Sequence, residues 1–321
     1  MGKLEETVNA YKSGKLAKNS FIEAMGGCHS LLFEYKRRIA EINVAEIKIS
    51  AGQVLMTFKD PRISMICPPG DTFATPFVAF NLGDYESEEL QIIRKIVGML
   101  GGNRVRFLDI GANMGFYSLA LSYYFPGIRG IAFEPIPTTY DTLVKNLKLN
   151  EAAEITPVNM GLSDCSGKLD FYCYPDHSGA ASMTHNIQTG NFIKLSCPTQ
   201  KLDDYFENNN QPIDFIKCDV EGAELPVFKG GRRLLEKNKP VIFSEMLRKW
   251  SAKYNYHPND IIALLAELGY DCFIIAGDSL VVCPAVTNDT AETNFIFLHK
   301  TKHRRLVEML VNNNRGTPCT Q

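Results

Sequence analysis

The segment 108–117, Leu-Asp-Ile-Gly-Ala-Asn-Met-Gly-Phe-Tyr, places a small-residue turn directly after a β-rich run. Gly111 and Gly115 let the backbone approach a bound molecule and adopt dihedral angles that a side chain would penalise. Asn113 lies between them in a Gly-x-x-x-Gly spacing, so the GxGxxG dinucleotide fingerprint is missing, and no Walker phosphate loop occurs in the chain. The segment predicts a ligand-binding loop without a diphosphate cradle. Taken alone, it could also be a turn that only packs a strand on a helix.

A second element follows 23 residues after Gly111, where another β-rich run ends in Phe133-Glu134-Pro135. A carboxylate at such a strand end can accept hydrogen bonds from both hydroxyl groups of a ribose. By itself Glu134 would more often be a solvated strand-end carboxylate. Together with the glycine loop it predicts a site for an adenosine-type cofactor.

A third element, Asp219-Val-Glu221-Gly-Ala-Glu224, follows the fourth β-rich run. Asp219 and Glu221 are candidate catalytic residues, because a carboxylate can position an acceptor hydroxyl or take its proton. Asp219 could also help to hold the amino-acid end of a cofactor. The alternative is a helix-capping role, which we favour for Glu224.

Three further side chains are weaker candidates. His177 and His185 flank a segment of small polar residues that suits a mobile wall over an acceptor pocket. Either could serve as a base, although both fit ordinary loop histidines better. Trp250, the single tryptophan, follows the fifth β-rich run. It could line the acceptor pocket or simply pack half-buried.

The elements that must position these residues alternate in type. Five β-rich runs are separated by amphipathic helical patterns, namely 106–110, 131–134, 155–160, 213–219 and 241–245. This alternation predicts a parallel sheet covered on both faces. Thr138 and Asp141 have capping-box spacing, and Pro258 opens a helical pattern that Gly269 ends.

The chain ends are organised differently. The runs 271–275 and 294–299 predict a closing antiparallel hairpin, beside which the short run 280–282 could pair. Before the alternating part, helical and strand-like patterns are mixed irregularly. We therefore divide the chain into an N-terminal cap (1–84), a catalytic domain (85–300) and a C-terminal tail (301–321).

Composition excludes several classes of protein. The 34 Lys and Arg residues nearly balance the 36 Asp and Glu residues, so the chain has no net positive charge with which to bind a nucleic acid. No apolar run is long enough for a membrane span, and the charged N-terminus does not resemble a signal peptide. Nine scattered cysteines without a CxxC pair predict reduced thiols and a cytoplasmic protein.

The motifs in their order resemble the FkbM family of S-adenosylmethionine-dependent methyltransferases over roughly 85–300. The resemblance is carried by Asp109-x-Gly-Ala-Asn-x-Gly, Phe133-Glu-Pro, Asn159-x-Gly-Leu-Ser-Asp, Lys201-Leu-Asp-Asp, Ile216-Lys-Cys-Asp-Val-Glu-Gly and Phe243-Ser-Glu. It implies a Rossmann-like class I methyltransferase fold, an α/β structure with a mostly parallel seven-stranded sheet, a closing antiparallel hairpin and the N-terminal cap.

The resemblance also implies roles for single residues. Asp109, Gly111, Ala112, Asn113 and Gly115 would surround the methionine part of S-adenosylmethionine. Glu134, with Pro135 beside it, would hold the ribose, while Leu162, Ser163 and Asp164 would border the adenine.

The implied reaction is O-methylation of a sugar, a glycan or a related small molecule by in-line displacement. The expected partner is a hydroxyl-bearing acceptor; no nucleic acid, membrane span or metal site is predicted, and the oligomeric state is left open. Two alternatives are a nicotinamide-dependent oxidoreductase, disfavoured by the missing GxGxxG, and a non-catalytic interaction module on the same core.

Overall fold

The computed structural model describes residues 2–174, 177–184, 192–209 and 211–311. The strands in this part of the chain are β1 Val44–Ile49, β2 Val54–Phe58, β3 Ser64–Cys67, β4 Arg106–Ile110, β5 Arg129–Phe133, β6 Ile155–Val158, β7 Gly161–Leu162, β8 Gly167–Tyr174, β9 His177–Ser182, β10 Ile193–Gln200, β11 Phe215–Cys218, β12 Val241–Glu245, β13 Tyr270–Ala276, β14 Ser279–Val282 and β15 Asn294–His299.

The α-helices are α1 Lys3–Lys12, α2 Lys18–Glu41, α3 Thr75–Leu82, α4 Ser87–Leu100, α5 Phe116–Tyr124, α6 Pro137–Leu149, α7 Leu202–Tyr205, α8 Glu224–Gly230, α9 Arg232–Asn238, α10 Arg248–Ser251, α11 Pro258–Glu267 and α12 Arg304–Leu310. Two 3₁₀ turns, Gly102–Arg104 and Ala252–Tyr254, complete the set. Within the described residues, no helix combines the length and the apolar character that crossing a bilayer requires.

The main sheet has the strand order β14-β13-β15-β12-β11-β4-β5-β6. The five strands from β12 to β6 are parallel, and β13, β14 and β15 pair antiparallel at the other edge. The α/β class and the closing hairpin are confirmed. The sheet has eight strands rather than seven, because residues 279–282 turn back at Gly277 and pair with β13 as an edge strand.

The direction of strand succession reverses at β4, which lies between β5 and β11. Ile110 at the end of β4 is in register with Phe133 of β5 and with Cys218 of β11. The three strands therefore end at the same level and open a crevice, which is where ligands bind in such sheets. Every residue of β11 and most of β4 are buried, as expected for strands covered by helices on both faces.

A smaller four-stranded sheet, β7-β10-β8-β9, stands beside this crevice. The sequence did not predict it. The small-residue segment that we expected to form a mobile wall supplies strand β9, which pairs antiparallel with β8. Mobility of this wall stays a prediction.

One predicted helix start is wrong. α6 begins at Pro137 with Ile136 as its N-cap, and no side chain caps it, so Thr138 and Asp141 do not form a capping box. Proline at the first helical position already has the φ angle of a helix. The capping box is found at α11, between His257 and Asp260.

The N-terminal strands β1, β2 and β3 form a separate antiparallel sheet, and β3 lies along α6. Asn150 Oδ1 accepts the Ser64 N–H at 2.7 Å, and Asn146 Oδ1 accepts the Ile66 N–H at 2.9 Å. β3 is an edge strand, and on its open side these two side-chain amides accept the backbone N–H groups that another strand would otherwise bond. Asn146 Nδ2 also donates to Met114 O at 2.9 Å, which ties the N-terminal sheet to the glycine loop.

The substitution Asn146→Ala should lower the free energy of unfolding by about 1–3 kcal/mol, because it leaves a buried N–H and a buried carbonyl unpaired. Urea unfolding followed by circular dichroism measures this. The exposed neighbour Lys145→Ala is the control and should change stability by less than about 0.5 kcal/mol. Equal stability of the two variants would contradict a structural role for the Asn146 amide.

Candidate functional site

The glycine loop after β4 is held against the end of β5. The N–H groups of Gly111 and Ala112 both donate to Phe133 O, at 3.1 and 2.9 Å. A Cβ atom at Gly111 would lie 1.8 Å from Asp219 O, and the φ of Gly111 is +75°. Only glycine fits there, because the loops after β4 and β11 touch at this point.

The same loop turns again before α5. Gly115 has a φ of +91°, and a Cβ atom there would lie 2.5 Å from Leu143 Cδ1. Asn113 adopts a φ of +49°, in the left-handed region, and its Oδ1 is buried without a hydrogen-bond partner in the part of the chain described. A buried acceptor without a donor is costly, so this oxygen calls for a hydrogen-bond donor from a ligand.

Glu134 joins this loop to the end of β5. Its Oε2 accepts the Asn113 N–H at 3.0 Å, and its Oε1 accepts the Ile136 N–H at 2.9 Å. The two stretches that the sequence predicts to converge therefore touch. Burial raises the pKa of Glu134 to about 7, although the two N–H groups favour the ionised form. Each oxygen keeps a second acceptor position, which suits the two hydroxyl groups of a ribose.

Lys217, in β11, is the central cation of the site and is 4% exposed. Its Nζ donates to Gly111 O at 2.9 Å and lies 3.2 Å from Asp219 Oδ2 and 3.7 Å from Asp109 Oδ1. Burial by itself would lower the pKa of Lys217, but these two carboxylates raise it above its ordinary value. The ammonium thus fixes both acids and the loop in one arrangement.

Asp109 is also buried, at 1% exposure, and accepts a hydrogen bond from Ser118 Oγ at 2.7 Å. It does not line the crevice, so it acts on the site through Lys217 and the loop. The role that the resemblance implied for it, beside the methionine part of the cofactor, stays a prediction.

Three carboxylates gather where β11 and β12 end, and single oxygens of Asp219, Glu221 and Glu245 lie within 4.8 Å of one another. The pKa values of Glu221 and Glu245 are raised well above the ordinary value, mainly by burial and secondly by the negative charge of Asp219. Such oxygens are the ligands that Mg²⁺ prefers. Lys217 already compensates the charge of Asp219, however, and we assign no metal to them.

Glu224 has a structural role, but it is not the helix cap that we favoured, because the N-cap of α8 is Ala223 and no side chain caps it. Its Oε1 accepts the N–H groups of Val220 and Gly222, at 3.0 and 3.1 Å, and its Oε2 lies 3.1 Å from the Tyr256 hydroxyl. It thereby holds the turn between β11 and α8. Glu221 lies in the middle of this turn, between Val220 and Gly222, with a φ of +56°.

The residues predicted to border the adenine separate into two groups. Leu162 lines the crevice, together with Pro135, Met160, Gly161 and Phe171, which were not part of that prediction. Ser163 and Asp164 lie outside the lining residues. Ser163 O packs against α8, where a Cβ atom at Gly230 would be 2.1 Å away.

The weaker candidates are also placed. The His177 ring stacks on Phe73 at 4.0 Å and does not line the crevice, and His185 lies outside the described residues. Trp250 is half-buried behind the Gly222 turn, with Lys249 Nζ 4.5 Å and Lys253 Nζ 4.6 Å from its ring. Gly179, Ala181 and Met183 of the β9 segment form the wall of the crevice.

We call the whole opening the cleft. It lies at the carboxyl ends of β4, β5, β11 and β12. Its described ionisable lining residues, tyrosines aside, are Lys217 and five carboxylic acids, namely Glu86, Glu134, Asp219, Glu221 and Glu245. Sequence reasoning missed Lys217, Glu245 and Glu86 as site residues. Lys217 lies within a predicted strand and Glu245 at the end of one, so a charged residue in an otherwise apolar run could have identified both as site candidates.

Comparison with known proteins identifies a family. The model described as the methyltransferase FkbM domain matches residues 109–272, about half of the chain. Methyltransferase sdnD of Sordaria araneosa is 29% identical over 193 residues, which covers 51% of this chain and 73% of sdnD.

Two further relatives have names that state a substrate or position. Hexuronic acid methyltransferase AglP of Haloferax volcanii is 31% identical over 160 residues, covering 50% of this chain and 60% of AglP. 2-O-methyltransferase NoeI of Sinorhizobium fredii is 28% identical over 173 residues, covering 50% of this chain and 70% of NoeI.

The substitution Lys217→Met should lower the free energy of unfolding by about 3–5 kcal/mol, because it leaves the buried Asp109 carboxylate without its cation. Urea unfolding tests this, with the exposed Lys148→Met as the matched control. Adding Asp109→Asn to Lys217→Met should recover part of the loss. No recovery in the double variant would argue against the ion pair as the cause.

Proposed function

The chain belongs to the FkbM methyltransferase family, and we propose that it methylates a hydroxyl oxygen of a sugar, a glycan or a related small molecule. Its cofactor is S-adenosylmethionine. The names of AglP and NoeI support a sugar hydroxyl as acceptor, since one states a hexuronic acid and the other a 2-O position. The observation that carries the proposal is the Asn113–Glu134 contact, which joins the glycine loop and the strand-end acid in one cleft.

The residues of the cleft fit this cofactor. The glycine loop brings its backbone to the cleft, the buried Asn113 Oδ1 lacks a donor, and Glu134 retains acceptor positions. We propose that Glu134 holds the ribose and that Leu162 and Pro135 border the base. When bound, S-adenosylmethionine supplies an electrophilic methyl group on a sulfonium. The residues of the chain would orient the acceptor hydroxyl, exclude water and accept the proton of that hydroxyl.

We propose Asp219 and Glu221 as the catalytic acids. Lys217 holds the Asp219 carboxylate in place, so that Asp219 can orient an acceptor hydroxyl. The raised pKa of Glu221 makes its ionised carboxylate a stronger base than that of an ordinary glutamate. Positioning can supply about 7–11 kcal/mol of the barrier reduction. A base adds about 10²–10⁴ in rate.

Residues 1–84 would act as a cap on this site. Support comes from Thr75, which lines the cleft, and from Phe73, which stacks on His177 of the wall strand β9. We also propose a cytoplasmic location, supported by free thiols at each of the eight cysteines in the described residues. The balanced charge supports a small acceptor rather than a nucleic acid.

Calorimetric titration should show binding of S-adenosylhomocysteine and no binding of NAD. The substitution Glu134→Ala should weaken S-adenosylhomocysteine binding by about 1–3 kcal/mol, because hydrogen bonds to a carboxylate are lost. The circular dichroism spectrum must be unchanged, since Glu134 also holds the loop. A folded variant with unchanged affinity would remove Glu134 from the binding site, and preferential NAD binding would favour an oxidoreductase.

The substitution Asp219→Asn should lower the methylation rate by about 10²–10⁴, because the acceptor hydroxyl loses its carboxylate. The dissociation constant of S-adenosylhomocysteine should change less than about threefold. The assay follows S-adenosylhomocysteine release with an acceptor found by screening sugars and uronic acids. Asp170→Asn, on the exposed face of β8, is the control. Equal losses of rate and affinity would instead assign Asp219 to cofactor binding.

A further inference from the structure

Glu86 lies outside the residues that the family model matches, yet it lines the cleft. It directly precedes α4 and has a φ of +49° and a ψ of +38°. A residue with a Cβ atom adopts this left-handed conformation at a cost, and such strain is concentrated at ligand sites. The backbone is thus held in a disfavoured state at a residue whose side chain faces the cleft.

The neighbours of Glu86 locate it on the β11 side of the cleft. The Tyr117 hydroxyl donates a hydrogen bond to Glu86 Oε2, and Lys217 Nζ lies 5.5 Å from the centre of the Tyr117 ring. Glu134 follows β5, on the opposite side of β4. Strands in a sheet are about 4.8 Å apart, so the ends of β5 and β11 are separated by about 10 Å.

This separation matches the two ends of an extended nucleoside that carries an amino acid. If the ribose lies at Glu134, the amino-acid part extends across β4 towards Glu86. That part ends in an ammonium group, which has three N–H donors. The acid and the ammonium would then meet at the β11 side of the cleft.

The charge around Glu86 also calls for a cation. In the described residues Lys217 pairs with Asp109 and Asp219, and no lysine, arginine or histidine forms an ion pair with Glu86. Burial, together with the charge of Asp219, raises the pKa of Glu86 to about 7. An ammonium beside the carboxylate would favour its ionised form.

We propose that Glu86 binds the α-ammonium group of the amino-acid part of the cofactor. The proposal rests on the proposed function, because it takes the ribose to lie at Glu134. It adds a residue from outside the matched family region, and it assigns the Glu86 position to a cationic group of the cofactor, next to the acids proposed for the acceptor.

Two ligands that differ in their amino-acid part test this assignment. S-Adenosylhomocysteine carries the ammonium, whereas 5′-methylthioadenosine keeps the nucleoside and the thioether without it. Calorimetry at pH 7.5 should show that Glu86→Gln weakens S-adenosylhomocysteine binding by about 10- to 100-fold, as expected for a charged hydrogen bond. The same substitution should weaken 5′-methylthioadenosine binding by less than about twofold.

The control variant is Glu134→Ala, which should weaken both ligands by similar factors because both contain the ribose. Equal losses for the two ligands in Glu86→Gln, or no loss for either, would overturn the assignment of Glu86. If the wild-type chain binds neither ligand, the proposed function itself fails, and the assignment fails with it. The two failures are therefore distinguishable.

A second variant guards against misfolding at the strained position. Asparagine tolerates the left-handed conformation, so Glu86→Asn removes the charge with less effect on the backbone. It should show the same selective loss for S-adenosylhomocysteine. Thermal unfolding of both variants without ligand checks that the fold is intact. A folded Glu86→Asn variant with wild-type affinity for S-adenosylhomocysteine would overturn the proposal.

Discussion

The buried ammonium of Lys217 holds together parts of the cleft that different strands supply. It contacts the loop after β4 through Gly111 O and pairs with Asp109 of β4 and Asp219 after β11. A buried charge is tolerated only when it is paired, so these groups must keep their arrangement once the strands have packed. The close contact between Gly111 and Asp219 O belongs to the same arrangement. Changes in either loop therefore affect both.

Among the described residues that line the cleft, five carboxylic acids face one lysine, which cannot compensate all of their charge. Burial and the charges of neighbouring acids raise the pKa values of Glu86, Glu221 and Glu245, so these side chains keep protons at pH values where isolated carboxyl groups would lose them. The cofactor carries a sulfonium and an ammonium group, and both complement this charge. Under the proposed function, these acids would contribute binding energy for the cofactor and a proton acceptor for the reaction.

Elements outside the matched family region complete this cleft. β3 is attached to α6 through Asn146 and Asn150, and the chain then leads through α3 to Glu86 at the start of α4. The four-stranded sheet forms the opposite wall, where β9 contributes small side chains that leave the cleft open. The ends of the parallel strands are thus enclosed from two sides, by the N-terminal segment outside the matched region and by the four-stranded sheet within it.

The sequence by itself determined the parallel strands, the turn at Gly111, the strand-end acid Glu134 and the Asp219–Glu221 pair. These features depend on local rules, since apolar runs, glycine and proline act on neighbouring residues. The tertiary structure alone decided the role of Lys217, the strained Glu86, the pairing of β3 with amides of α6 and the four-stranded wall. It also separated Ser163 and Asp164 from the cleft lining. Each of these outcomes depends on groups far apart in the chain, and their charges and hydrogen-bonding atoms find partners only after the sheet has brought them together.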